Sequence, residues 1–561
     1  MAVSRGWACC LVLLVVTVLA GAVTLVALLT RGSAAPACAG GFPHAAVAAD
    51  SGVCSDVARD ILHRGGSAVD GAIAGLLCTS AVNPQSMGIG GGVIFTIYNA
   101  PTGTVEVINA RERTPEKTPP DLLKGCRDFM PQSGVKWIGV PGELRGYEEA
   151  HKKYGKLPWK SLFEPTIKLV TEGFPVPEIL HKFLHHPLFK NRLMNSSLCQ
   201  LFCKDGDLVK KGDHLQLSKL GETLKVVAEK GAGSFYEGDL AELMVEDLRT
   251  QEGFLTLNDF RNYRVERMEA LNVSLNDYTV YSPPPPAAGA VLSFILNVLK
   301  GYNFSSDSLK RDSDKIETFH RIAEAFKFAN GQKSKIGHLL GNSWRVMLTD
   351  SFADLVRRRI DGSGNHSLSY YNLSRLAGAG FGTSHISVVA QDGSMVSATS
   401  TINFVFGSMV YSPRTGIIFN DELTDFCKTH VPGSRIQKGE MPPSSMTPAI
   451  LISKDKKSGL VIGGSGGNQI ISATALAIMN KIWFGYSLEK AISAQVLYVD
   501  MKNRINLEPP ADKVIESGLR DRGHQIGNST FFLNVVQAVL KQDSCIYAES
   551  DKRKQGRAAG Y

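Results

Sequence analysis

The chain has 561 residues and a formal net charge of +8, long enough to bury a large core and to form roughly two to four domains. Its lysines and arginines are interrupted by acids and make no stripe with interleaved aromatics, which argues against a nucleic-acid partner. Ten cysteines are present, but none of their spacings has the matching second cluster of a zinc site, so no metal is expected.

Trp7 to Thr30 contains no charged residue and is long enough to cross a bilayer as a helix. The apolar region of a secretory signal runs to only about 7–15 residues, so an uncleaved anchor is the preferred reading. Ser33-Ala34-Ala35-Pro36-Ala37 offers a cleavage site and hence secretion as the alternative. Arg5 and Arg31 flank the run on opposite sides and do not orient it. Six Asn-x-Ser/Thr sequons, at Asn195, Asn272, Asn303, Asn365, Asn372 and Asn528, do. They put the body outside the cell, as a single-pass type II protein with a cytoplasmic tail at 1–6, an anchor at 7–30 and a stalk at 31–43. Disulfides persist there. Cys199 and Cys203 are close enough to close a small loop, and Cys54 and Cys78 flank a helical hairpin as a second pair.

Ala45–Ala49 reads as a buried strand, followed by helices at Val53–His63 and Ser67–Val82, the second opened by Ser67 with Asp70 three residues on. Gly88-Ile89-Gly90-Gly91-Gly92 leads into a hairpin of Val93–Tyr98 and Val105–Ala110. The glycine run fails the dinucleotide fingerprint, because Val93 stands where the last glycine belongs and no helix follows. Arg111 ends the second strand, either as a surface charge or as a planar fork for a carboxylate. Trp137 to Tyr370 is mostly helical in pattern, interrupted by Val140-Pro141-Gly142 and by the stiff run Pro283 to Pro286.

Gly380-Phe381-Gly382-Thr383 meets an alternating strand, and Asp392-Gly393 turns it into a second strand ending at Ser400-Thr401-Ile402-Asn403. A hydroxyl just after glycines suits self-cleavage. Thr383 attacks the Gly382 carbonyl, water opens the ester, and the new N-terminal threonine carries a hydroxyl nucleophile and an amine base. The plain alternative is a threonine at a strand edge. An Asp392-Gly393-Ser394 loop of three residues predicts that Thr383, Thr401 and Asn403 share a face, whereas a two-residue loop turns Thr401 away. Asp421-Glu422-Leu423-Thr424-Asp425 follows, then a polar, proline-bearing loop from Cys427 to Pro443, and Ser444-Ser445-Met446 leads into a strand. Glu422 and Asp425 taken alone read as a solvated turn.

Gly463 to Gly467 joins a strand to a helix and has two readings. It satisfies G-x-S-x-G, which makes Ser465 a nucleophile with Asp500 or Asp512 and then His524 as triad partners in order. Alternatively its glycines aim backbone N–H groups into a site at a helix N-terminus, as an oxyanion hole requires.

Taken together, Gly382-Thr383-Ser384-His385, Ser400-Thr401-Ile402-Asn403, Asn420-Asp421-Glu422, Ser444-Ser445-Met446, Gly463 to Gly467 and Asn109-Ala110-Arg111-Glu112 resemble the γ-glutamyltransferases. The match runs from about His44 to the end in the same order. Pro84-Gln85-Ser86, Tyr411 to Gly416 and Pro283 to Pro286 look most like the type-5, leukotriene-cleaving branch. The resemblance implies an α+β, N-terminal-nucleophile αββα four-layer sandwich, cut into a large subunit (44–382) and a small one (383–561) that stay together as a heterodimer. It implies γ-glutamyl transfer from glutathione, its S-conjugates and leukotriene C4 to water or to amino-acid and dipeptide acceptors, with no organic cofactor. By motif, Arg111, Ser444 and Ser445 hold the donor's α-carboxylate, and Asn403, Glu422 and Asp425 its ammonium. Gly466 and Gly467 supply oxyanion N–H groups, and Thr401 supports Thr383. Residue chemistry agrees, since one carbon bearing a carboxylate and an ammonium calls for a cation beside an acidic pair. Two departures stand out: Phe381 where type-1 members usually have glycine, and Val405 where they carry a tyrosine, which bear on processing and acceptor choice. A non-enzymatic receptor ectodomain on a dead scaffold is the remaining alternative.

Overall fold

The computed structural model describes residues 38–126, 133–336, 343–373, 382–428, 435–500, 502–528 and 535–561. The expected anchor, most of the stalk, and Phe381 lie outside them. No helix among the described residues is long and apolar enough to cross a membrane.

The strands are β1 (Ala46–Ala49), β2 (Gly92–Asn99), β3 (Thr104–Ala110), β4 (Glu266–Glu269), β5 (Leu271–Leu275), β6 (Tyr278–Ser282), β7 (Gly382–Val389), β8 (Met395–Asn403), β9 (Ala449–Ser453), β10 (Ser458–Ser465), β11 (Val535–Gln542), β12 (Cys545–Ser550) and β13 (Ala559–Gly560). They form two antiparallel sheets, ordered β13-β1-β7-β8-β2-β3-β4 and β12-β11-β10-β9-β6-β5. The sheets face each other. Helices α1 (Gly52–His63), α2 (Ala68–Val82) and α3 (Glu143–Tyr154) cover the first, and α4 (Gly289–Lys300) and α6 (Gln469–Ile482) cover the second, with α5 (Asp312–Ile336) packed on α4. The layers are therefore αββα, as expected.

Local chemistry accounts for the central elements. Ser67 caps α2 by accepting from the Asp70 N–H (3.1 Å), while the Asp70 carboxylate accepts from the Ser67 N–H (2.9 Å). Helix α2 is buried along its whole length and lies on β7 and β8, tied to α1 by a Cys54–Cys78 disulfide. Cys199 and Cys203 are bonded too. A third bond, Cys126–Cys427, joins positions 301 residues apart, and no spacing in the sequence announced it.

Two expectations need correction. The stretch from Trp137 to Tyr370 is not mostly helical throughout, because β4, β5 and β6 lie within it. Strand β5 alternates buried Leu271, Val273 and Leu275 with exposed Asn272 and Ser274, the period of a strand at a sheet edge. The loop of the β7–β8 hairpin has the expected three residues, but they are Gln391-Asp392-Gly393, closed by the Ala390 N–H on the Ser394 carbonyl (2.9 Å). An odd loop keeps the parity, so Thr383 stands opposite Thr401.

Both faces of β7 and β8 are buried. Ile386, Val388, Val396 and Ala398 face the helical core, while the alternate residues face the second sheet, Val389 and Met395 in an apolar cluster and the polar ones with polar partners there. Ser397 donates to the Ile462 carbonyl (2.9 Å) and Ser387 to the Gln537 carbonyl (3.0 Å). The Ser387 hydroxyl has one proton and has spent it, so it accepts from His385 Nε2 (3.0 Å), and His385 Nδ1 accepts from Thr399 (2.8 Å). Burial pushes His385 down to about 3, so the imidazole is neutral and supports the seam between the sheets.

Glu143, at the start of α3, is wholly buried and accepts from Tyr147 and from Ser400 Oγ (2.9 Å). Burial raises it from 4.5 to about 8 against those two hydrogen bonds. The folded carboxyl thus keeps a proton, between about pH 4.5 and 8, that the unfolded chain has released, and stability falls as pH rises through that window. Glu143→Gln should flatten the decline of Tm between about pH 5 and 8; parallel Tm profiles for the two proteins would contradict this.

Candidate active site

Nine of the ten residues singled out for catalysis or substrate binding line one small cavity: Arg111, Thr383, Thr401, Asn403, Glu422, Asp425, Ser444, Ser445 and Gly467, joined by Met446 and Ile470. The tenth, Gly466, precedes Gly467 in the same loop. They arrive from distant parts of the chain. Arg111 follows the last residue of β3, Thr383 is the second residue of β7, Thr401 and Asn403 lie at the end of β8, and Glu422 and Asp425 share a 3-10 helix, Glu422–Lys428.

At the Thr383 end, Thr383 Oγ1 lies 3.2 Å from Thr401 Oγ1. Thr401 donates its hydroxyl to the Gly382 carbonyl oxygen (2.5 Å) and accepts from the Asn403 N–H (2.8 Å). With its single proton committed to Gly382, Thr401 can only accept from Thr383. The arrangement polarises the carbonyl next to Thr383. A register shift between Gly382 and Thr383 pairs Gly382 with Asn403 and Thr383 with Thr401, leaving Ile402 as a bulge. The bulge leaves Asn403 at a φ of +73°, and its Nδ2 donates to Thr424 Oγ1 (2.7 Å) and the Asp421 carbonyl (3.3 Å).

At the other end, Arg111 is buried with its fork filled. Nη1 pairs with Glu422, Nη2 with Asp425 (3.0 Å) and the Pro443 carbonyl (3.0 Å), and Nε donates to the Pro442 carbonyl (3.2 Å). Glu112 lies 3.6 Å from Nη1. Burial disfavours the guanidinium charge, but Glu422, Glu112 and Asp425 outweigh it and hold Arg111 above its ordinary value. Burial, reinforced by Glu422, drives Glu112 well above the usual carboxylate range despite Arg111. Arg111, Glu422 and Asp425 therefore balance one another's charge in this cavity.

The two serines are set by residues that the sequence did not single out. The Ser444 N–H donates to the Pro286 carbonyl (2.8 Å), so the proline run buttresses this wall. Lys333, on α5, donates to Ser445 Oγ (2.6 Å) and to Asn468 Oδ1 (2.7 Å). An ammonium has no lone pair, so Ser445 accepts from it and keeps its own proton for donation, in this structure to Asn468 (3.2 Å). Lys554 is buried beneath Thr383 and donates to the Thr383 carbonyl (2.5 Å), Asp50 (2.9 Å) and Ser465 Oγ (3.0 Å). In the sequence it sits in Lys552-Arg553-Lys554, which reads as a solvated charge run.

The glycine loop 463–467 bends between β10 and α6 with Gly466 at φ +119° and Gly467 at φ +60°. Neither N–H has a partner among the described residues, and both lie at the start of a helix, where negative charge is favoured. The Ser465 triad is not assembled. Ser465 is fully buried against Lys554, Asp500 pairs with Arg504 (2.8 Å), and Asp512 caps the helix Lys513–Asp521 and pairs with Lys315. His524 is held between His320 (2.8 Å) and Lys327 (2.8 Å), and burial together with Lys327 pushes it down to about 2. The run Gly88 to Gly92 serves packing instead of phosphate. A Cβ on Gly90 would stand 2.2 Å from the Ile418 carbonyl oxygen, and one on Gly91 2.1 Å from that of Thr401.

A family model described as gamma-glutamyltranspeptidase matches residues 54–561. The chain is 50% identical to "Glutathione hydrolase 5 proenzyme" of Homo sapiens over 93% of each chain, and 51% identical to the protein of that name from Rattus norvegicus, again over 93% of each. Among solved structures it resembles a cephalosporin acylase from Bacillus halodurans, with a TM-score of 0.81 and 25% identity over 93% of this chain and 96% of that one.

Thr401→Val preserves shape and removes the proton that reaches the Gly382 oxygen. A donor at such a position is worth about 10²–10³ in rate, so scission at Gly382–Thr383 should slow by about that factor in Thr401→Val and stay near wild type in Thr401→Ser. A denaturing-gel time course of freshly made protein reads it, and equal rates for Val and wild type would remove the hydroxyl from the reaction.

Proposed function

The chain belongs to the γ-glutamyltranspeptidase family and is a γ-glutamyl hydrolase and transpeptidase; from that premise we propose that Thr383, freed by self-cleavage, is its nucleophile. The observation that carries the reading is the buried Arg111–Glu422–Asp425 cluster, which lines the same cavity as the Thr383–Thr401 pair. A γ-glutamyl donor presents a carboxylate and an ammonium at one end and an amide carbon at the other. The cavity offers a complement to each.

Scission begins with Thr383 Oγ1 attacking the Gly382 carbonyl carbon while Thr401 donates to its oxygen. The amide nitrogen leaves as the amine of Thr383, and water hydrolyses the resulting ester. The chain then consists of a large subunit (44–382) and a small one (383–561), held as a heterodimer. In turnover the new amine takes the Thr383 hydroxyl proton; an unperturbed α-amine titrates at about 7.7–8.0 and serves as base near neutrality. The donor's carboxylate goes to Arg111, Ser444 and Ser445, and its ammonium to Asn403, Glu422 and Asp425. Gly466 and Gly467 N–H groups receive the oxyanion, the amine leaves with a proton, and water or an amino-acid or dipeptide acceptor resolves the γ-glutamyl ester.

The donors we assign are glutathione, its S-conjugates and leukotriene C4; the names of the glutathione hydrolase relatives support the first. Val405 is buried among apolar neighbours and offers no hydroxyl to an acceptor. We place the body outside the cell on an anchor at 7–30, with a tail at 1–6 and a stalk at 31–43. All six sequon asparagines are exposed, which supports glycosylation at Asn195, Asn272, Asn303, Asn365, Asn372 and Asn528.

Thr383→Ala should abolish both the gel split and release from γ-glutamyl anilides, whereas Ser465→Ala should retain the split. The gel is run reduced, because Cys126–Cys427 spans the cut. N-terminal sequencing of the smaller fragment should begin at Thr383; an uncut molecule that still consumes glutathione would overturn the mechanism.

A further inference from the structure

The 3-10 helix that carries Glu422 and Asp425 is held differently at its two ends. At its start the hold is polar. Asn420 Oδ1 accepts from the Glu422 N–H (3.0 Å) and the Gly139 N–H (2.9 Å), while Asn420 Nδ2 donates to the Gly90 (2.8 Å) and Gly139 (2.9 Å) carbonyls. At its far end the hold is covalent. Cys427, two residues after Asp425, is bonded to Cys126, which closes a 3-10 helix at Leu122–Gly125. Around the bond sit Leu122, Trp137, Leu423 and Phe426, with Leu123 and Ile436 packed against them. The cluster is small and peripheral. Downstream of Cys427 the chain returns to the same site, where the Pro442 and Pro443 carbonyls accept from Arg111. The disulfide is thus a fixed point between the acids and the carbonyls that grip the arginine.

Its accessibility differs from that of the bond between α1 and α2. Cys54 and Cys78 are both fully buried, whereas Cys126 and Cys427 are partly exposed. The second pair is thus the more exposed of the two.

Building on the proposed function, we propose that Cys126–Cys427 is a positioning element of the donor-ammonium subsite, and that small-molecule thiols loosen it. The chemistry balances with two equivalents of thiol. The first thiolate forms a mixed disulfide with one cysteine and releases the other, which takes a proton. The second attacks the mixed disulfide, giving the oxidised thiol dimer and the free second cysteine. Opening the bond leaves Thr383, Thr401 and the glycine loop untouched. It frees the far end of the turn, so Glu422 and Asp425 meet the donor's ammonium less well. That interaction is made in the ground state and the transition state alike, so its loss raises KM and spares kcat. Glutathione itself is a thiol, whereas its S-conjugates are thioethers, so only the unconjugated donor at high concentration acts on the subsite that captures it.

The test compares matured wild type with the Cys126→Ser/Cys427→Ser double variant on γ-glutamyl 4-nitroanilide and on glutaryl 4-nitroanilide, which lacks the α-ammonium. Weakening a charged hydrogen bond corresponds to about a tenfold change. We expect KM for the γ-glutamyl substrate to rise about tenfold with kcat within about twofold, and KM for the glutaryl substrate to rise clearly less. Treating folded wild type with dithiothreitol should reproduce the rise and leave the double variant unchanged. An unchanged KM, or an equal rise for both anilides, overturns the proposal. Amide hydrogen exchange over 422–428 gives a reading that needs no turnover, covering a wild type that proves inactive on anilides and a variant that folds poorly. Faster exchange in the reduced wild type supports the positioning role, and unchanged exchange overturns it.

Discussion

Arg111 lies where solvent does not reach, and a guanidinium in such a place needs anions around it. Its fork is filled by Glu422, Asp425 and two proline carbonyls, with Glu112 behind. Desolvating charges in this way is expensive, and apolar side chains of similar volume often serve stability as well or better. The cluster is therefore poorly explained as a means of holding the fold. It makes sense as a socket that is self-paired when empty and whose two signs match those of an amino acid's α-carbon. Arginine suits the carboxylate side because its planar fork donates to two oxygens at once, which lysine cannot do.

The rest of the molecule is arranged to hold that socket against one hydroxyl. The two antiparallel sheets meet along a seam in which Ser387, Ser397, Thr399 and His385 each have a partner, and the hairpin that carries Thr383 and Thr401 lies in it. Gly90 and Gly91 let the loop before β2 press onto the backbone of Ile418 and Thr401. Asn420 then ties that loop to the start of the acidic turn. Strand β2 also pairs with both β3, which delivers Arg111, and β8, which delivers Thr401 and Asn403. A displacement of β2 would move the cation and the nucleophile's support together.

What the sequence disclosed follows the reach of its signals. Ser67 and Asp70 lie three residues apart and announce a capping box. Asp392-Gly393 announces a hairpin, although not which residue begins its loop, since Ala390 and Ser394 close it through backbone groups that any residues supply. The second sheet was harder. Strands β5 and β6 carry the right alternation but stand between long helical segments, and their sheet partner β9 lies far along the chain. Lys333, Lys554 and the Cys126–Cys427 bond were invisible for a stronger reason: each acquires its meaning only from a neighbour at least 100 residues away. Family resemblance supplied the site residues. Local pattern alone had left Glu422 and Asp425 as a solvated turn, and the structure buries both.

The state of Thr401 connects the two reactions proposed for this site. A hydroxyl has one proton to give. In the uncut chain that proton goes to the Gly382 carbonyl, while the Thr383 hydroxyl faces the lone pairs that remain. The chain's own peptide therefore occupies the place of an acyl substrate, polarised by the same group that would later steady the nucleophile. Once that peptide is cut, Thr401 loses its acceptor and its proton can turn to Thr383. The nitrogen released beside it becomes an amine, with the basic lone pair that the amide lacked. Lys554 bears on the same point from below, since it grips the Thr383 carbonyl and keeps the residue in register after its N-terminal neighbour departs. A threonine fixed through its carbonyl and its partner strand can lose one peptide bond and stay where the chemistry needs it.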